Sequence, residues 1–425
     1  VIVELINTGS ELMLGRILNS HQQWLCRQLS DLGYIVSRQV AVPDTARDIE
    51  SAVRESLTRA DLVITTGGLG PTSDDLTRET IARLLHKPLH EDAETLDRIQ
   101  AFFALRSRPM PESTRAEALV PAGATILPNL HGTAPGLAIT VHPNPFRQHG
   151  EPSHLLMLPG PRRELQPLFT QFAVPYLLRT LPPAQAFICR TLRTIGLGES
   201  VVQDKIEGSL EALVGTGLDV GYCAKPGQVD VRLSAHGPNA KACVDEAETR
   251  VRALLGPDVF GAGDESLEAV VLRMLSERKQ TLALAESCTG GCIAHRLTNV
   301  PGASAVFRAG WITYSNDAKQ RFLGVRAETL DHYGAVSEAV ACEMADGARH
   351  TAKTDYAIAV TGVAGPDGGS SSKPVGTVCI AVSSPQTTSV RTMMNPWDRL
   401  TFKEVTSQQA LNQLRSVILS HPPTG

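Results

Sequence analysis

The segment Ala285-Glu286-Ser287-Cys288-Thr289-Gly290-Gly291 sets a hydroxyl beside a thiol at the end of an apolar run, Thr281 to Ala285. A helical pattern follows (Cys292, Ile293, Leu297). A serine on a strand-to-helix turn projects from the sheet edge, and backbone N–H groups nearby can stabilise an oxyanion. The string is not G-x-S-x-G, and on their own Ser287 and Thr289 read as helix N-caps. Cys288 is a rival nucleophile. Cys288 and Cys292 would share a helix face, but two thiols alone make a poor zinc site. Further along, Tyr314-Ser315-Asn316-Asp317-Ala318-Lys319 supplies a candidate base. A lysine removed from water loses proton affinity, and a nearby tyrosine can donate to developing negative charge. The plainer reading is a solvated lysine on a helix. The glycine-rich stretch Thr361-Gly362 to Gly369 leaves another apolar run and suits a phosphate. Two Ser-x-x-Lys strings, Ser276 to Lys279 and Ser370 to Lys373, lack the accompanying SDN and KTG elements and are read as chance.

A second constellation lies in the first half: Thr65-Thr66-Gly67-Gly68-Leu69-Gly70-Pro71-Thr72-Ser73-Asp74-Asp75. A strand runs into glycines, and a helix is predicted from about Asp74. Glycines let backbone N–H groups approach a phosphate, and a helix N-terminus adds partial positive charge. Two adjacent carboxylates beside an anion suggest a bridging hard cation, although Asp74 and Asp75 could equally just cap the helix. The glycine spacing does not fit a dinucleotide fold, and there is no P-loop string. Gly9-Ser10-Glu11, His131-Gly132-Thr133 and Leu158-Pro159-Gly160-Pro161 are further turns at strand ends, at the same predicted sheet edge.

The elements that would carry these turns are legible. Ile2–Thr8, Tyr34–Val42 and Asp61–Thr66 read as strands, separated by helical patterns over Ser20–Leu32 and Ala46–Arg59, with Thr45 as N-cap and Gly33 as a C-terminal stop. This rhythm predicts a parallel sheet between helices. His142 to His154 reads as a surface loop. Phe187–Ile195 and Val229–Ala235 (strands) with Asn239–Leu255 (helix) read as a small α+β module. Ser266–Glu277 then opens a last domain as a helix, with strands over Thr281–Ala285, Tyr356–Thr361 and Gly376–Val382. The fold class expected is α/β: two three-layer domains with largely parallel sheets, residues 1–181 and 264–425, joined by the module at 184–262.

The 425 residues are 42% apolar and 20% charged, with a net charge of −4. That is a globular balance with no general nucleic-acid-binding charge. No run of about 18 apolar residues occurs, so no membrane span is expected. The eight cysteines form no CxxC pair. Together with the lack of an export-signal pattern, this predicts a cytoplasmic protein with reduced thiols.

Taken in order, the strings NTGSELMLGRILNS, TTGGLGPTSDDLT, HGTAPGLAI, LPGPRREL, AESCTGG, TYSNDAK, YGAVSEAVA, VTGVAGPDGG and KPVGTV resemble the CinA family from end to end. The resemblance implies a first domain of the molybdopterin-binding MoaB and MogA type, a KH-like middle module and a last domain similar to nicotinamide-nucleotide amidohydrolases. For the last domain it implies conversion of nicotinamide mononucleotide to nicotinate mononucleotide and ammonia without a cofactor. Ser287 would be the nucleophile, with Tyr314 and Lys319 activating it. Thr289, Gly290, Gly291, Thr361, Gly362 and Arg399 would contact substrate. For the first domain it implies cleavage of ADP-ribose with a divalent metal ion and potassium. Glu11, Asp74 and Asp75 would hold the metal, and Gly67, Gly68, Gly70 and Thr133 would contact substrate. Two departures bear on that half: Ser10 stands where many members carry Asp, and Pro161-Arg162-Arg163-Glu164-Leu165 replaces the usual VPSEM. In the tail, Lys403 replaces a second arginine. A homo-oligomer, most simply a dimer, is expected, and no nucleic-acid or membrane partner. A molybdopterin-handling enzyme and a non-catalytic regulator of DNA uptake or repair remain the alternative readings.

Overall fold

The computed structural model describes residues 1–183 and 186–421. The expected start of the middle module at 184 and the end of the last domain at 425 lie outside them. The chain divides into two compact units: residues 1–189 with 236–240, and residues 190–235 with 241–425. The middle module therefore belongs with the last domain.

In the first unit, strands β1 (Ile2–Thr8), β2 (Ile35–Val42) and β3 (Leu62–Thr66) form where the apolar runs predict them. A small ribbon, β4 (Leu89–Glu91) with β5 (Leu119–Pro121), stands apart from the main sheet. β6 (Thr125–Leu127), β7 (Gly136–Val141) and β8 (Ser153–Leu158) complete that sheet in the order β2-β1-β3-β8-β7-β6. Its first four strands are parallel, and β7 runs against them, pairing antiparallel with β8 on one side and β6 on the other. Alternation along β1 shows how both faces are filled. Val3 and Leu5 pack with Leu25, Leu29 and Phe169 on one side, and Ile6 packs with Ile49, Val53 and Ile81 on the other. Thr45 caps the Ala46–Leu57 helix through the Asp48 amide, as predicted. The insertion at 142–152 is a loop, but it is pinned at Asn144, whose fully buried amide donates to the Leu57 carbonyl.

The middle module is a four-stranded sheet, ordered β10-β11-β9-β12, of β9 (Phe187–Ile195), β10 (Leu218–Lys225), β11 (Gln228–His236) and β12 (Val259–Ala262). It carries two 16-residue helices, Glu199–Val214 and Ala240–Leu255. β10 and the first of these helices were not read from the sequence.

The last domain is built on β14 (Phe307–Ile312), β13 (Leu282–Glu286), β15 (Tyr356–Gly362), β16 (Thr377–Ser383) and β17 (Thr388–Met394), in that order. The first three are parallel; β16 and β17 are antiparallel, so the sheet is less parallel than expected. Residues of β13 face alternate sides. Leu282 and Leu284 pack against the helices Leu267–Glu277, Cys292–Thr298 and Arg399–Ser420. Ala283 and Ala285 meet Ala341, Ala345 and Ala348 of the helix Glu338–Ala352. Small residues on both partners let that helix sit close. Gly347 of the same helix serves a different contact, with the end of the helix Asn316–Leu323: a Cβ there would lie 1.9 Å from the Leu323 carbonyl oxygen. Among the described residues, no helix is long and apolar enough to cross a membrane.

Candidate active sites

The carboxyl ends of β13, β14 and β15 converge on the turn at 286–291. Ser287 follows β13 directly, and its amide donates to the Val360 carbonyl (3.0 Å). Its hydroxyl is buried, 3.1 Å from Lys319 Nζ. Lys319 sits in the helix Asn316–Leu323, which Ser315 caps through the Ala318 amide. That helix turns the lysine inward instead of toward water. Lys319 is only 1% exposed, and it also donates to the Thr313 carbonyl (2.8 Å). It has no carboxylate partner among the described residues, so desolvation lowers its pKa from the ordinary lysine value. The solvated-lysine alternative is thereby overturned. Cys288 is also buried, and burial pushes its thiol up to about 12. A thiol held that far from ionisation is a poor rival nucleophile.

Glu286 is the residue that sequence reasoning passed over. Its buried carboxylate accepts from the Gly291, Ile293 and Ala294 amides (3.0, 3.2 and 2.9 Å) and from the Thr289 hydroxyl (2.7 Å). These are the free donors at the start of the Cys292–Thr298 helix. The amides at that helix start are therefore already committed to Glu286. The amides of Cys288 and Thr289 donate to no other residue among those described. Thr289 is fully buried and holds the turn by donating its hydroxyl to Glu286. An acidic residue closing an otherwise apolar strand was the signal available in the sequence.

Gly290 and Gly291 have positive φ (58° and 91°), which explains glycine at both positions. Thr361 is buried and donates to the Ala335 carbonyl (2.7 Å), so it anchors the start of the loop after β15. Gly362 is required for packing: a Cβ would lie 2.8 Å from the Thr377 carbonyl oxygen and 3.1 Å from the Cys288 sulfur. Tyr314 is not among the hydrogen-bond partners found for Lys319; its hydroxyl accepts from Arg399 Nη2 (2.8 Å) and it stands 61% exposed. Arg399 also donates to the Gly365 carbonyl (2.7 Å). Lys403, one turn further along the same helix, brings its ammonium to 3.8 Å from where a Gly290 Cβ would sit. The buried Ser287–Lys319 pair thus lies beneath a rim of two cations and a phenol.

The first unit places its glycine turn after β3, at the corresponding carboxyl edge. Gly67 and Gly68 have positive φ, and a Gly68 Cβ would collide with the Thr77 hydroxyl at 2.1 Å. The helix begins at Thr77 and not at Asp74, so residues 70–76 form a turn and the aspartates do not lie in a helical first turn. They gather on Thr72 instead: its hydroxyl lies 2.5 Å from Asp74 Oδ1 and 2.6 Å from Asp75 Oδ2, and its amide donates to Asp75 (3.0 Å). The Thr72 hydroxyl holds the Asp74 carboxyl below its ordinary range. Gly70 makes room, since a Cβ there would lie 2.5 Å from Asp75 Oδ2. A hydroxyl carries one proton and cannot satisfy two carboxylates. The pair therefore fits a hard cation that takes one or two carboxylates, with water and phosphate completing its shell. Glu11, on the short helix Ser10–Met13, does not join them: among the described residues, no group of three or more His, Cys, Asp or Glu could hold a metal. Beside Ser10, the Asp44 carboxylate accepts the Ser10 amide (2.7 Å), so position 10 has an acidic neighbour after all. Of the two added arginines, Arg163 extends into solvent.

Glu117 and Glu164 were also missed. Glu117 is buried; desolvation pushes it up to about 7, with a Thr133 hydrogen bond and Arg78 opposing. Its Oε2 has no partner. Glu164 accepts from Asn129 (2.9 Å) and fills the space over Gly132. Neither had a sequence signal, because each lies in an irregular or 3₁₀ stretch or at a helix start.

Comparison with known proteins accounts for the whole chain. Residues 4–179 match the family described as "Probable molybdopterin binding domain", 189–261 the "Damage-inducible protein CinA KH domain" and 264–418 the "CinA C-terminal domain". A "CinA-like protein" of Akkermansia muciniphila is 42% identical over 99% of both chains. One of Kosmotoga olearia is 38% identical over 98% of both. The chain belongs to the CinA family. A solved structure, the competence damage-inducible protein A of Klebsiella pneumoniae, is 41% identical. It aligns over 37% of this chain and 96% of its own, with a TM-score of 0.36.

Proposed function

We propose that the last domain of this CinA-family protein hydrolyses the carboxamide of nicotinamide mononucleotide to the carboxylate and ammonia. The observation that carries the reading is the buried Lys319 amine, 3.1 Å from the Ser287 hydroxyl. A neutral hydroxyl is a weak nucleophile and needs a base within hydrogen-bond reach. Desolvated Lys319 accepts the hydroxyl proton as Ser287 Oγ bonds to the amide carbon. The tetrahedral intermediate collapses as the same proton passes to the departing nitrogen, and ammonia leaves. Water, deprotonated by the same amine, then releases the acid from the ester and restores Ser287. The Thr313 carbonyl keeps the ammonium aimed at the serine. Arg399 and Lys403 have the charge and position to take the nucleotide's phosphate. The direct test is ammonia release from nicotinamide mononucleotide by the purified full chain; none at micromolar enzyme would sink the reading and favour a non-catalytic regulator.

A second activity is favoured by the Thr72–Asp74–Asp75 arrangement in the first domain. We infer cleavage of ADP-ribose to AMP and ribose 5-phosphate, in which Asp74 and Asp75 would hold a divalent cation that offsets phosphate charge. Gly67, Gly68 and Gly70 open the backbone for the diphosphate, and Thr133 lies beside Glu117 at the same edge. Pterin co-purifying with the protein, with ADP-ribose left intact, would favour molybdopterin handling instead. Potassium dependence and self-association belong to the same proposal and are read by activity in potassium against sodium and by sedimentation. A cytoplasmic location is proposed with them, to be read by cell fractionation.

A further inference from the structure

The polar interior between the middle module and the last domain contains one continuous chain of side-chain hydrogen bonds. Lys225 pairs with Asp230 (2.7 Å), and Gln228 Nε2 donates to the other oxygen of that carboxylate. Gln228 Oε1 accepts from Gln408 Nε2 (3.0 Å), and Gln408 Oε1 accepts from Arg296 Nη2 (2.7 Å). The same guanidinium donates to Glu268 (2.8 Å). Gln228, Asp230 and Gln408 are all buried. Each amide donates at one end and accepts at the other, so the chain has a single direction.

The two ends of this chain differ in what they hold. Lys225, Gln228 and Asp230 belong to the hairpin of β10 and β11 in the middle module. At its tip, Gly227 turns at a φ of 74° and packs toward Val405 and Gln408. Gln408 belongs to the helix Arg399–Ser420, whose first turns carry Arg399 and Lys403. Arg296 belongs to the helix that follows the Ser287 turn. Gln408 is therefore the point at which the helix bearing the cations, the helix after the nucleophile and the middle module meet.

We propose that Gln408 is a positioning residue for the amide-hydrolysing site, and that the middle module acts through Gln228 to fix the cations of the last helix over the Ser287 turn. This rests on the hydrolysis proposed above for its kinetic readout. Both amides of this chain have their oxygen and their nitrogen paired, while Arg296 Nη1 is left without a partner; loss of either amide would leave further buried polar atoms unpaired and loosen the elements the chain joins. Lys403 is five residues from Gln408, about 8 Å along the helix axis. A small shift there alters how the phosphate is held without touching the Ser287–Lys319 bond.

The test uses the full chain with Gln228→Ala, Gln408→Leu and the double substitution. Gln228 lies outside the last domain and touches no candidate catalytic group, so its variant separates positioning from folding of the site. Each single change should raise KM for nicotinamide mononucleotide about three- to tenfold, the size expected for one lost buried hydrogen bond, with kcat within about twofold. The double variant should match the single ones, because both break the same chain. Hydrogen exchange of amides 400–404 should quicken in Gln228→Ala. An active enzyme with unchanged KM in Gln228→Ala overturns the proposal. If the wild type releases no ammonia, the functional reading fails separately, and exchange at 400–404 decides the positioning role by itself: faster supports it, unchanged overturns it.

Discussion

Two glycine turns occupy equivalent places, one after β3 and one after β13, each at the carboxyl edge where parallel strands end. Their surroundings are opposite. After β3, two carboxylates crowd an exposed hydroxyl that carries one proton, and their negative charge is left uncompensated there. After β13, a carboxylate is buried beneath the turn and consumed by backbone amides, while a lysine is buried above it against a serine. Burial makes the difference. The same kind of sheet edge presents exposed carboxylates in one domain, and a hydroxyl against a desolvated lysine in the other. Position in the fold offers a site, and the solvation of particular side chains decides the chemistry.

The sharpest way to break this contrast is at Ser287. Ser287→Ala should reduce ammonia release by more than about a hundredfold, and Cys288→Ala should keep most of it, measured as ammonia from nicotinamide mononucleotide. An active Ser287→Ala with a dead Cys288→Ala would transfer the chemistry to the thiol. Lys319→Met should come close to the serine variant, and the two losses should not add, since both residues serve one step. Because burial lowers the Lys319 pKa and the neutral amine is the reactive form, kcat/KM should rise with pH to a midpoint below 10.5, the ordinary lysine value. A wild-type profile that falls as pH rises, or whose midpoint is no lower than the ordinary lysine value, would remove Lys319 as the base.

The other side of the comparison is tested by Asp75→Asn, which should abolish ADP-ribose cleavage and leave ammonia release untouched. Full cleavage by this variant, or by EDTA-treated wild type, would mean the carboxylates hold no cation. The smallest effect expected is on stability. Glu117 titrates higher when folded than when unfolded, so folding takes up a proton between about 4.5 and 7, and stability falls as pH rises through that window. Glu117→Gln removes the charge and keeps the shape. It should melt a few degrees above wild type near pH 8, roughly 1 kcal/mol or more, and match it near pH 4. Equal melting at both would show that the carboxylate is solvated.

The strands β1, β3, β9 and β13 were legible from the sequence, as was the cap Thr45 from its position before helical periodicity; Ser266, read as the first residue of its helix, proves to be the cap of Leu267–Glu277. The glycine turns were legible because positive φ leaves few other residues available. Ser287 and Lys319 were named from their types and motif, but nothing in the spacing of 32 residues along the chain says that their side chains touch. That required the β13–β14 pairing and the inward turn of the Asn316–Leu323 helix. Sequence placed Tyr314 beside Lys319 as its partner, and the fold gave the tyrosine to Arg399, 85 residues away, and the lysine to a backbone carbonyl. Glu11 was grouped with the aspartates by motif, and the fold left it out. Residue types and local backbone preferences are properties of a few consecutive residues, so the sequence by itself determined the strands, the turns and the list of reactive groups. Which groups are dried, which meet and which are already satisfied depends on packing between distant segments, and only the tertiary structure decided that.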